Sequence, residues 1–223
     1  MYRKQGLLAI GGAAPESPPE AFRFDPSSRS RWIVAAADSG LYHLHRWNLT
    51  PDLIVGDFDS LDKKWLEEHF PAIPRHEYRI DKDETDTEIG LRHLREEGVS
   101  DVTLVGGGGG RLDHLMGLLA LFDRREFPTR WFTDREVVRA ITDSHEFAAT
   151  VGEIVSFFPA GPDTCRMTSL GFRWQLDGLV WRKGDAGISN ECVTERCRVE
   201  VSSGRLLMVR NLNLPRAFPW RET

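Results

Sequence analysis

The sequence is poor in cysteine and has no long apolar run. Its 223 residues include three cysteines, Cys165, Cys192 and Cys197, an odd number without C-x-x-C spacing. This pattern argues against a disulfide framework and against a zinc site. No apolar run approaches the roughly 20 residues that a membrane span requires. The short apolar stretch near the N-terminus breaks at Gly11-Gly12, too soon for a signal peptide. These absences predict a cytoplasmic protein without a membrane partner.

The sequence also lacks a basic tract. It has 29 Lys and Arg against 34 Asp and Glu, a formal net charge of −5, which argues against a nucleic-acid partner. Part of the negative charge is local, in acidic clusters between Asp52 and Asp86. The hydrophobic content of 40% is enough for one large or two small domains.

The first part of the chain alternates short apolar runs with helical patterns. The predicted strands are 7–10, 32–37, 53–55 and 102–105, and the predicted helices are 41–47, 63–69, 85–98 and 112–122. Thr85 and Glu88 have the spacing of a capping box that opens the third helix. This alternation predicts an α/β fold with a doubly wound, mostly parallel, Rossmann-like sheet. The Pro- and Ser-rich segment 13–31 is predicted to be a loop.

The pattern changes after about residue 135. Short extended segments are predicted at 137–141, 154–158, 172–176, 179–181, 197–201 and 206–209. No long helical pattern interrupts them, and turns at Asp177-Gly178 and Ser203-Gly204 separate the last two pairs. We therefore expect a catalytic α/β domain over residues 1–144 and a small all-β sandwich over residues 145–223. The tail from Pro215 to Thr223 is expected to be loosely held.

Two carboxylates follow the predicted third strand, in Gly56-Asp57-Phe58-Asp59-Ser60. Ligands of open α/β sheets bind at the carboxyl ends of the strands. If the segment stays extended, residues i and i+2 point to the same side, so Asp57 and Asp59 could reach one Mg²⁺ ion. The alternative is a turn in which Asp59 only caps the next helix.

Three further carboxylates, Asp81, Asp83 and Asp86, surround the start of the third predicted helix. Capping and the helix dipole account for one of them. Like charges packed together without a cation are unfavourable, so we expect at least one to bind metal or nucleotide.

A run of glycines from Gly106 to Gly110 follows a strand and precedes a helix. Backbone N–H groups can converge on a phosphate at such a place, and the guanidinium of Arg111 can bind phosphate oxygens bidentately. The alternative is a flexible connection, with Asp113 and His114 acting only as cap residues. In the second domain, Trp174, Trp181 and the segment 187–191, which includes a turn predicted at 187–190, are candidates for holding an organic substrate. The alternative is that these tryptophans belong to the core.

The order of these motifs resembles that of the thiamine pyrophosphokinase family. The matching segments are Asp38-Ser39-Gly40, Pro51-Asp52, 56–60, 81–86, Gly109-Gly110-Arg111-Leu112-Asp113-His114, 170–174 and 188–190, which together span nearly the whole chain. Each motif is weak alone, and the combination is specific.

The resemblance implies a homodimer with active sites between subunits. It implies Mg²⁺-dependent transfer of the pyrophosphoryl group of ATP to the hydroxyl of thiamine, with release of AMP. It assigns Mg²⁺ to Asp57, Asp59 and Asp86, and thiamine to Trp174, Ser189 and Asn190. The nucleotide site would include Asp38, Asp83, Thr85, Gly109, Gly110, Arg111 and Asp113. Catalysis would fall to Asp57, Asp59, Asp86 and Arg111, and which carboxylate accepts the hydroxyl proton stays open.

Two positions depart from the family pattern. Ser39 stands where a glycine is usual, and Gly117 lies in a region where an asparagine is often found. Three alternatives remain: a pyrophosphokinase for a pterin alcohol, a metal-dependent phosphohydrolase and a nucleotide sensor without turnover.

Overall fold

A computed structural model describes residues 4–19, 29–79, 81 and 83–212. The chain divides into two compact units. Unit 1 comprises Met1–Met116 and Trp131–Asp134, and unit 2 comprises Gly117–Arg130 and Arg135–Thr223. This division differs from the boundary at 144/145 that the sequence suggested, and that boundary stays a prediction. No helix among the described residues is long and apolar enough to cross a membrane.

Unit 1 is built on parallel strands with helices between them. The parallel strands are β1 (Gln5–Ala9), β2 (Trp32–Ala37), β3 (Leu53–Gly56), β4 (Arg75–Glu77) and β5 (Asp101–Val105). The short strand β6 (Arg130–Phe132) lies where the chain passes from unit 2 back into unit 1. The helices are α1 (Leu41–Arg46), α2 (Lys63–His69), α3 (Asp86–Glu96) and α4 (Leu112–Leu121), the last of which continues into unit 2.

The strand order places a switch point between β1 and β5. Strands β5, β1, β2, β3 and β4 are neighbours in that order, and each pairing is parallel. The chain adds β2, β3 and β4 on one side of β1 and β5 on the other. The crevice beyond the carboxyl ends of the strands at such a reversal is where open α/β sheets bind ligands. The mixed α/β class is therefore confirmed, and the doubly wound arrangement of helices stays a prediction.

The apolar runs correctly predicted β1, β2, β3 and β5, and the two three-residue strands β4 and β6 were missed. Strand β4 is Arg-His-Glu and exposed throughout, so it carries no apolar signal. Strand β6 is only three residues long. The four predicted helices are present, and Thr85 caps α3 as predicted.

Unit 2 consists mainly of antiparallel strands. They are β7 (Glu136–Ile141), β8 (Ser144–Ala148), β9 (Ile154–Ala160), β10 (Cys165–Leu170), β11 (Val180–Trp181), β12 (Gly187–Glu191), β13 (Arg196–Ser203) and β14 (Arg205–Asn211). Four neighbours follow the order β12, β9, β14 and β7, and a second sheet follows the order β11, β10, β13 and β8. A second sheet region is thus confirmed, and its description as a sandwich stays a prediction.

One buried cluster draws on both strand groups of unit 2. It includes Phe157 from β9, Met167 from β10, Val199 from β13 and Met208 from β14. The three cysteines are free and buried, and all belong to this cluster. Burial raises the pKa of the Cys165 thiol to about 11 and also raises that of Cys192, so these thiols are poor nucleophiles.

Two sequence predictions in unit 2 were wrong. The strand expected at 172–176 is a loop, in which Phe172 makes only an isolated bridge to Cys192. Phe172 and Leu176 belong to the buried cluster, and the N–H groups of Trp174 and Leu176 donate to side-chain oxygens instead of to a neighbouring strand. The turn expected at 187–190 is instead strand β12, which pairs with β9. Its exposed residues hide the strand signal. Strands β8 and β10 were missed as well. The tail from Pro215 lies outside the described residues.

Candidate functional site

Asp38 stands directly after β2, in a tight turn that is packed against the end of β1. The turn spans Asp38–Gly40, and Asp38 has a left-handed φ of 48°, which Asp tolerates better than most residues. A Cβ on Gly40 would lie 2.2 Å from the carbonyl oxygen of Ala9. Only glycine therefore allows this turn to sit against β1, and the turn brings Asp38 to the carboxyl edge of the sheet.

Asp57 and Asp59 follow β3 in a loop that is not extended. Gly56 has φ 146° and the buried Phe58 has φ 58°, and the backbone N–H of Asp59 donates to Asp57 Oδ1 at 3.2 Å. The predicted proximity of the two carboxylates is confirmed, but the alternation of an extended strand is not its cause. The tight turn at Phe58 is the cause. Asp59 does not cap the next helix, because Asp62 accepts from the N–H groups of Lys64 and Trp65.

Asp38, Asp57 and Asp59 form one carboxylate cluster. One oxygen from each lies within 4.8 Å of the others. Asp38 Oδ2 accepts a hydrogen bond from Ser60 Oγ, while Asp38 Oδ1 is buried and has no hydrogen-bond partner among the residues described. The pKa of Asp38 is raised, first by burial and also by the charges of Asp86 and Asp57. An all-oxygen donor set with an unsatisfied buried oxygen suits a hard divalent cation.

The acidic segment at the start of α3 contributes to two features. Thr85 and Glu88 cap the helix, and Asp86 lies near the carboxylate cluster. Thr85 Oγ1 accepts from the N–H of Glu88 at 3.3 Å, and the N–H of Thr85 donates to Glu88 Oε2 at 2.7 Å. The predicted capping box is thus confirmed. Asp81 lies 3.7 Å from Arg79 and is exposed, as is Asp83. Asp86 is close enough to Asp38 to raise its pKa, and its role as a ligand stays a prediction.

The glycine run joins the loop after β1, and three of its N–H groups are already used. Gly106 donates to Phe132, Gly107 to Gly11 and Gly108 to Ala13, all at backbone carbonyl oxygens. A Cβ on Gly106 would lie 2.2 Å from the carbonyl oxygen of Ile10. These three glycines therefore join the loop after β5 to the loop after β1 and to β6 by backbone hydrogen bonds.

Gly109 and Gly110 are different, because they have left-handed φ values of 63° and 83° and space around them. A phosphate contact at this loop would use this second half.

Arg111 and Asp113 pair with each other at the start of α4. Arg111 Nε lies 3.1 Å from Asp113 Oδ1, and Nη2 lies 2.5 Å from Oδ2. The hydrogen bond and charge of Asp113 raise the pKa of Arg111, and Arg111 lowers the pKa of Asp113. Both side chains are well exposed, and exposed pairs are weak. Arg111, the predicted phosphate ligand, is therefore paired only weakly with Asp113, and a polyphosphate can replace the Asp113 carboxylate.

In unit 2, Asn190 supports Trp174. Asn190 is 4% exposed. Its Oδ1 accepts from the N–H groups of Trp174 at 3.1 Å and Glu191 at 2.9 Å, and its Nδ2 donates to the carbonyl of Trp174 at 2.7 Å. The Trp174 ring is 55% exposed, and the guanidinium carbon of Arg173 lies 5.1 Å from its centroid. Asn190 thus holds the backbone of Trp174, and the face of the Trp174 ring stays exposed.

The other two candidate residues in unit 2, Ser189 and Trp181, differ in their exposure. Ser189 is exposed, has φ 61° and donates its N–H to Ser156 Oγ at 3.1 Å. Trp181 packs against the buried cluster, and a Cβ on Gly187 would lie 2.6 Å from its ring. The core alternative therefore holds for Trp181 and not for Trp174.

Sequence reasoning placed Asp38 with the nucleotide and gave no role to Ser60. The structure puts both at the carboxylate cluster. The signal was available for Asp38, because β2 and β3 are both followed by an aspartate at the same edge of the sheet.

Comparison with known proteins identifies the class of protein. This class is an enzyme with a catalytic domain followed by a vitamin-binding domain. Residues 25–129 match the family model "Thiamin pyrophosphokinase, catalytic domain". Residues 143–207 match the model "Thiamin pyrophosphokinase, vitamin B1 binding domain". The chain belongs to the thiamine pyrophosphokinase family.

Individual relatives agree with this assignment. The thiamine pyrophosphokinase of Bacillus subtilis is 27% identical over 190 residues, which cover 81% of this chain and 86% of that protein. The crystal structure of the Bacillus subtilis enzyme superposes with a TM-score of 0.76 at 24% identity, covering 95% of this chain and all of that one. The Geobacillus thermodenitrificans structure gives a TM-score of 0.72 at 26% identity, covering 95% and 99% of the two chains.

Proposed function

We propose that this protein transfers the pyrophosphoryl group of ATP to the hydroxyl of thiamine, giving thiamine diphosphate and AMP. The observation that carries the proposal is the match to both family models. The carboxylate cluster at the strand ends of unit 1 supports it independently of those matches. Phosphoryl-type transfer depends mainly on positioning and charge neutralisation, and these are what clustered carboxylates and an arginine fork provide.

We assign Mg²⁺ to Asp57, Asp59 and Asp86 and add Asp38 to this set. The unsatisfied Oδ1 of Asp38 and the oxygen-only chemistry of the cluster support the fit. When bound, Mg²⁺ supplies positive charge that neutralises the polyphosphate. The protein's part is to hold these carboxylates at one edge of unit 1, and one of them would accept the proton of the thiamine hydroxyl.

ATP is assigned to the other groups at this edge of unit 1. Gly109 and Gly110 offer an open backbone for a phosphate, and Arg111 would exchange Asp113 for phosphate oxygens. Asp83, Thr85 and Asp113 complete the proposed nucleotide set. Arg111 would stabilise charge that develops on the phosphoryl oxygens or on the AMP leaving group.

Thiamine is assigned to the exposed face of Trp174, with Ser189 beside it. The ring face suits a flat, cationic heteroaromatic ligand. Because Asn190 is buried against the backbone of Trp174, we assign it a positioning role and not a contact with thiamine.

A homodimer with active sites between subunits, working in the cytoplasm, completes the proposal. Leu112, Met116 and Leu119 on α4 are 71%, 63% and 45% exposed. A row of large apolar side chains on one helix is typical of a covered surface. We further propose a doubly wound sheet for the catalytic domain and a sandwich for the β domain.

Product analysis tests the activity. The protein is incubated with ATP, Mg²⁺ and either thiamine or a pterin alcohol, and products are measured by mass spectrometry. We expect equal amounts of AMP and thiamine diphosphate, formed only with thiamine. Inorganic phosphate without an acceptor would indicate a phosphohydrolase, transfer to the pterin would change the substrate, and ATP binding without products would indicate a sensor.

A further inference from the structure

The two oxygens of the Asp38 carboxylate have different surroundings. Oδ2 accepts the hydrogen bond from Ser60 Oγ. Oδ1 is buried and unsatisfied within the described residues, and an oxygen of this carboxylate lies within 4.8 Å of ligand oxygens of Asp57 and Asp59. One oxygen is therefore used to hold the group, which leaves the other for a ligand.

The backbone fixes the Cα position of Asp38 but not the rotation of its carboxylate about the terminal torsion. The left-handed φ of Asp38 and the close approach of Gly40 to Ala9 set the Cα position. A Cβ on Gly56 would lie 3.3 Å from the Cβ of Asp38, so the end of β3 limits the side chain on that side. The terminal torsion of an aspartate is broad and roughly two-fold, so some other group must set its rotation.

Ser60 Oγ is the side-chain donor to this carboxylate, beside a backbone interaction with Ser39. We propose that Ser60 is a positioning residue, whose hydroxyl turns the Asp38 carboxylate so that Oδ1 joins Asp57 and Asp59 in binding the divalent cation. This inference rests on the proposed function. Partners that orient a metal-binding carboxylate typically change metal affinity by about 10- to 100-fold when removed.

The competing explanation is purely structural. Ser60 follows Asp59 in the loop after β3, and its hydrogen bond also ties this loop to the turn after β2. A simple tie would affect the stability of the metal-free protein. A positioning role would affect cation affinity, and it would be recovered by any side chain that returns the hydroxyl.

Mn²⁺ binding by the whole chain separates the two explanations. Mn²⁺ alone is titrated into the protein, and free Mn²⁺ is measured by electron paramagnetic resonance. The variants are Ser60→Ala, Ser60→Thr, Asp57→Asn as the reference for a lost ligand, and Ser100→Ala as an exposed serine control. The melting temperature of each metal-free variant is recorded, together with kcat and the apparent KM for Mg²⁺.

We expect Ser60→Ala to weaken Mn²⁺ binding by about 10-fold and to raise the KM for Mg²⁺, with kcat recovering at saturating Mg²⁺. Ser60→Thr and Ser100→Ala should bind Mn²⁺ like the unmodified protein. Unchanged Mn²⁺ affinity in Ser60→Ala, with or without a lower melting temperature, would overturn the inference alone if Asp57→Asn still loses binding. Unchanged Mn²⁺ affinity in Asp57→Asn, or no binding by the unmodified protein, would overturn both the inference and the proposed metal site.

Discussion

The acidic site of unit 1 and the Trp174 region of unit 2 are built in different ways. In unit 1, Asp38 and Asp57 follow neighbouring parallel strands, and glycines at close backbone contacts fix their positions. In unit 2, the backbone of Trp174 is held by the side chain of Asn190, sixteen residues away in the sequence. The first arrangement follows from strand ends, and the second depends on a loop folding onto a distant strand.

This difference separates the expected roles of the two regions. The carboxylates have a high local charge density and one unsatisfied oxygen, so changes there should mainly alter the chemical step. Both Oδ1 and Nδ2 of Asn190 bond to backbone groups within the protein, so changes there should mainly alter stability and thiamine binding. Four predictions test this separation.

The largest effect is expected for Asp57→Asn. Removing one carboxylate takes away a charge partner of the transition state, and such losses typically cost on the order of 10²-fold or more in kcat. The measurement is AMP formation under saturating ATP, thiamine and Mg²⁺. The control is Asp163→Asn, an exposed aspartate of unit 2 that should keep full activity. Near-normal turnover by Asp57→Asn would remove this residue from the site.

Arg111→Lys should lose roughly 10-fold in kcat/KM for ATP, because lysine offers a point charge without the bidentate fork. Asp113→Asn sharpens the test, since it frees Arg111 from its partner while keeping the shape of the side chain. Steady-state kinetics with varied ATP provide the measurement. Equal kinetics for Arg111→Lys and the unmodified protein would show that the guanidinium does not bind phosphate.

Asn190→Ala should lower the free energy of unfolding by about 1–3 kcal/mol, because it leaves partly buried backbone groups of Trp174 and Glu191 without the Asn190 side chain as a partner. The KM for thiamine should rise as well, since the Trp174 ring loses its support. Urea unfolding and thiamine kinetics measure the two effects. Ser189→Ala is the comparison, because this exposed side chain should affect thiamine binding and leave stability unchanged.

The smallest effect concerns His145 in unit 2. Burial, with the charges of Arg139 and Arg210, lowers its pKa from 6.5 to about 4. The unfolded chain therefore takes up a proton below pH 6.5 while the folded protein does not, so stability falls as the pH drops from 6.5 towards 4. The two pKa values correspond to about 2 kcal/mol at pH 5. Because solvent screens the partly exposed ring, we expect His145→Gln to remove about 1 kcal/mol of the difference in unfolding free energy between pH 7.5 and pH 5. Identical pH dependence in urea unfolding would contradict this.

The sequence predicts best where a local pattern alone decides the structure. Strand β2 is apolar throughout and is buried in the sheet, and the capping box of Thr85 and Glu88 fixes the start of α3. Strands β4 and β8 escaped prediction because they are short and mostly exposed. The loop at 172–176 looked like a strand because its apolar residues are buried by tertiary packing, which no local period reveals.

The candidate site shows the same limit. The acidic motif after β3 indicated that Asp57 and Asp59 form one site. The left-handed turn at Phe58 that brings the two carboxylates together could not be predicted from the sequence. The partners of Ser60 and Asn190 come from other parts of the chain. Sequence reasoning therefore found the residues that carry charge and missed those that hold them in place.

The most direct test of the separation measures thiamine binding and turnover in the same two variants. Asp57→Asn should bind thiamine, measured by isothermal titration calorimetry, within about threefold of the unmodified protein while losing its turnover. Asn190→Ala should bind thiamine more weakly but keep kcat within about threefold at saturating thiamine. If both variants lose binding and turnover to the same extent, the two regions do not have separate roles and the account is contradicted.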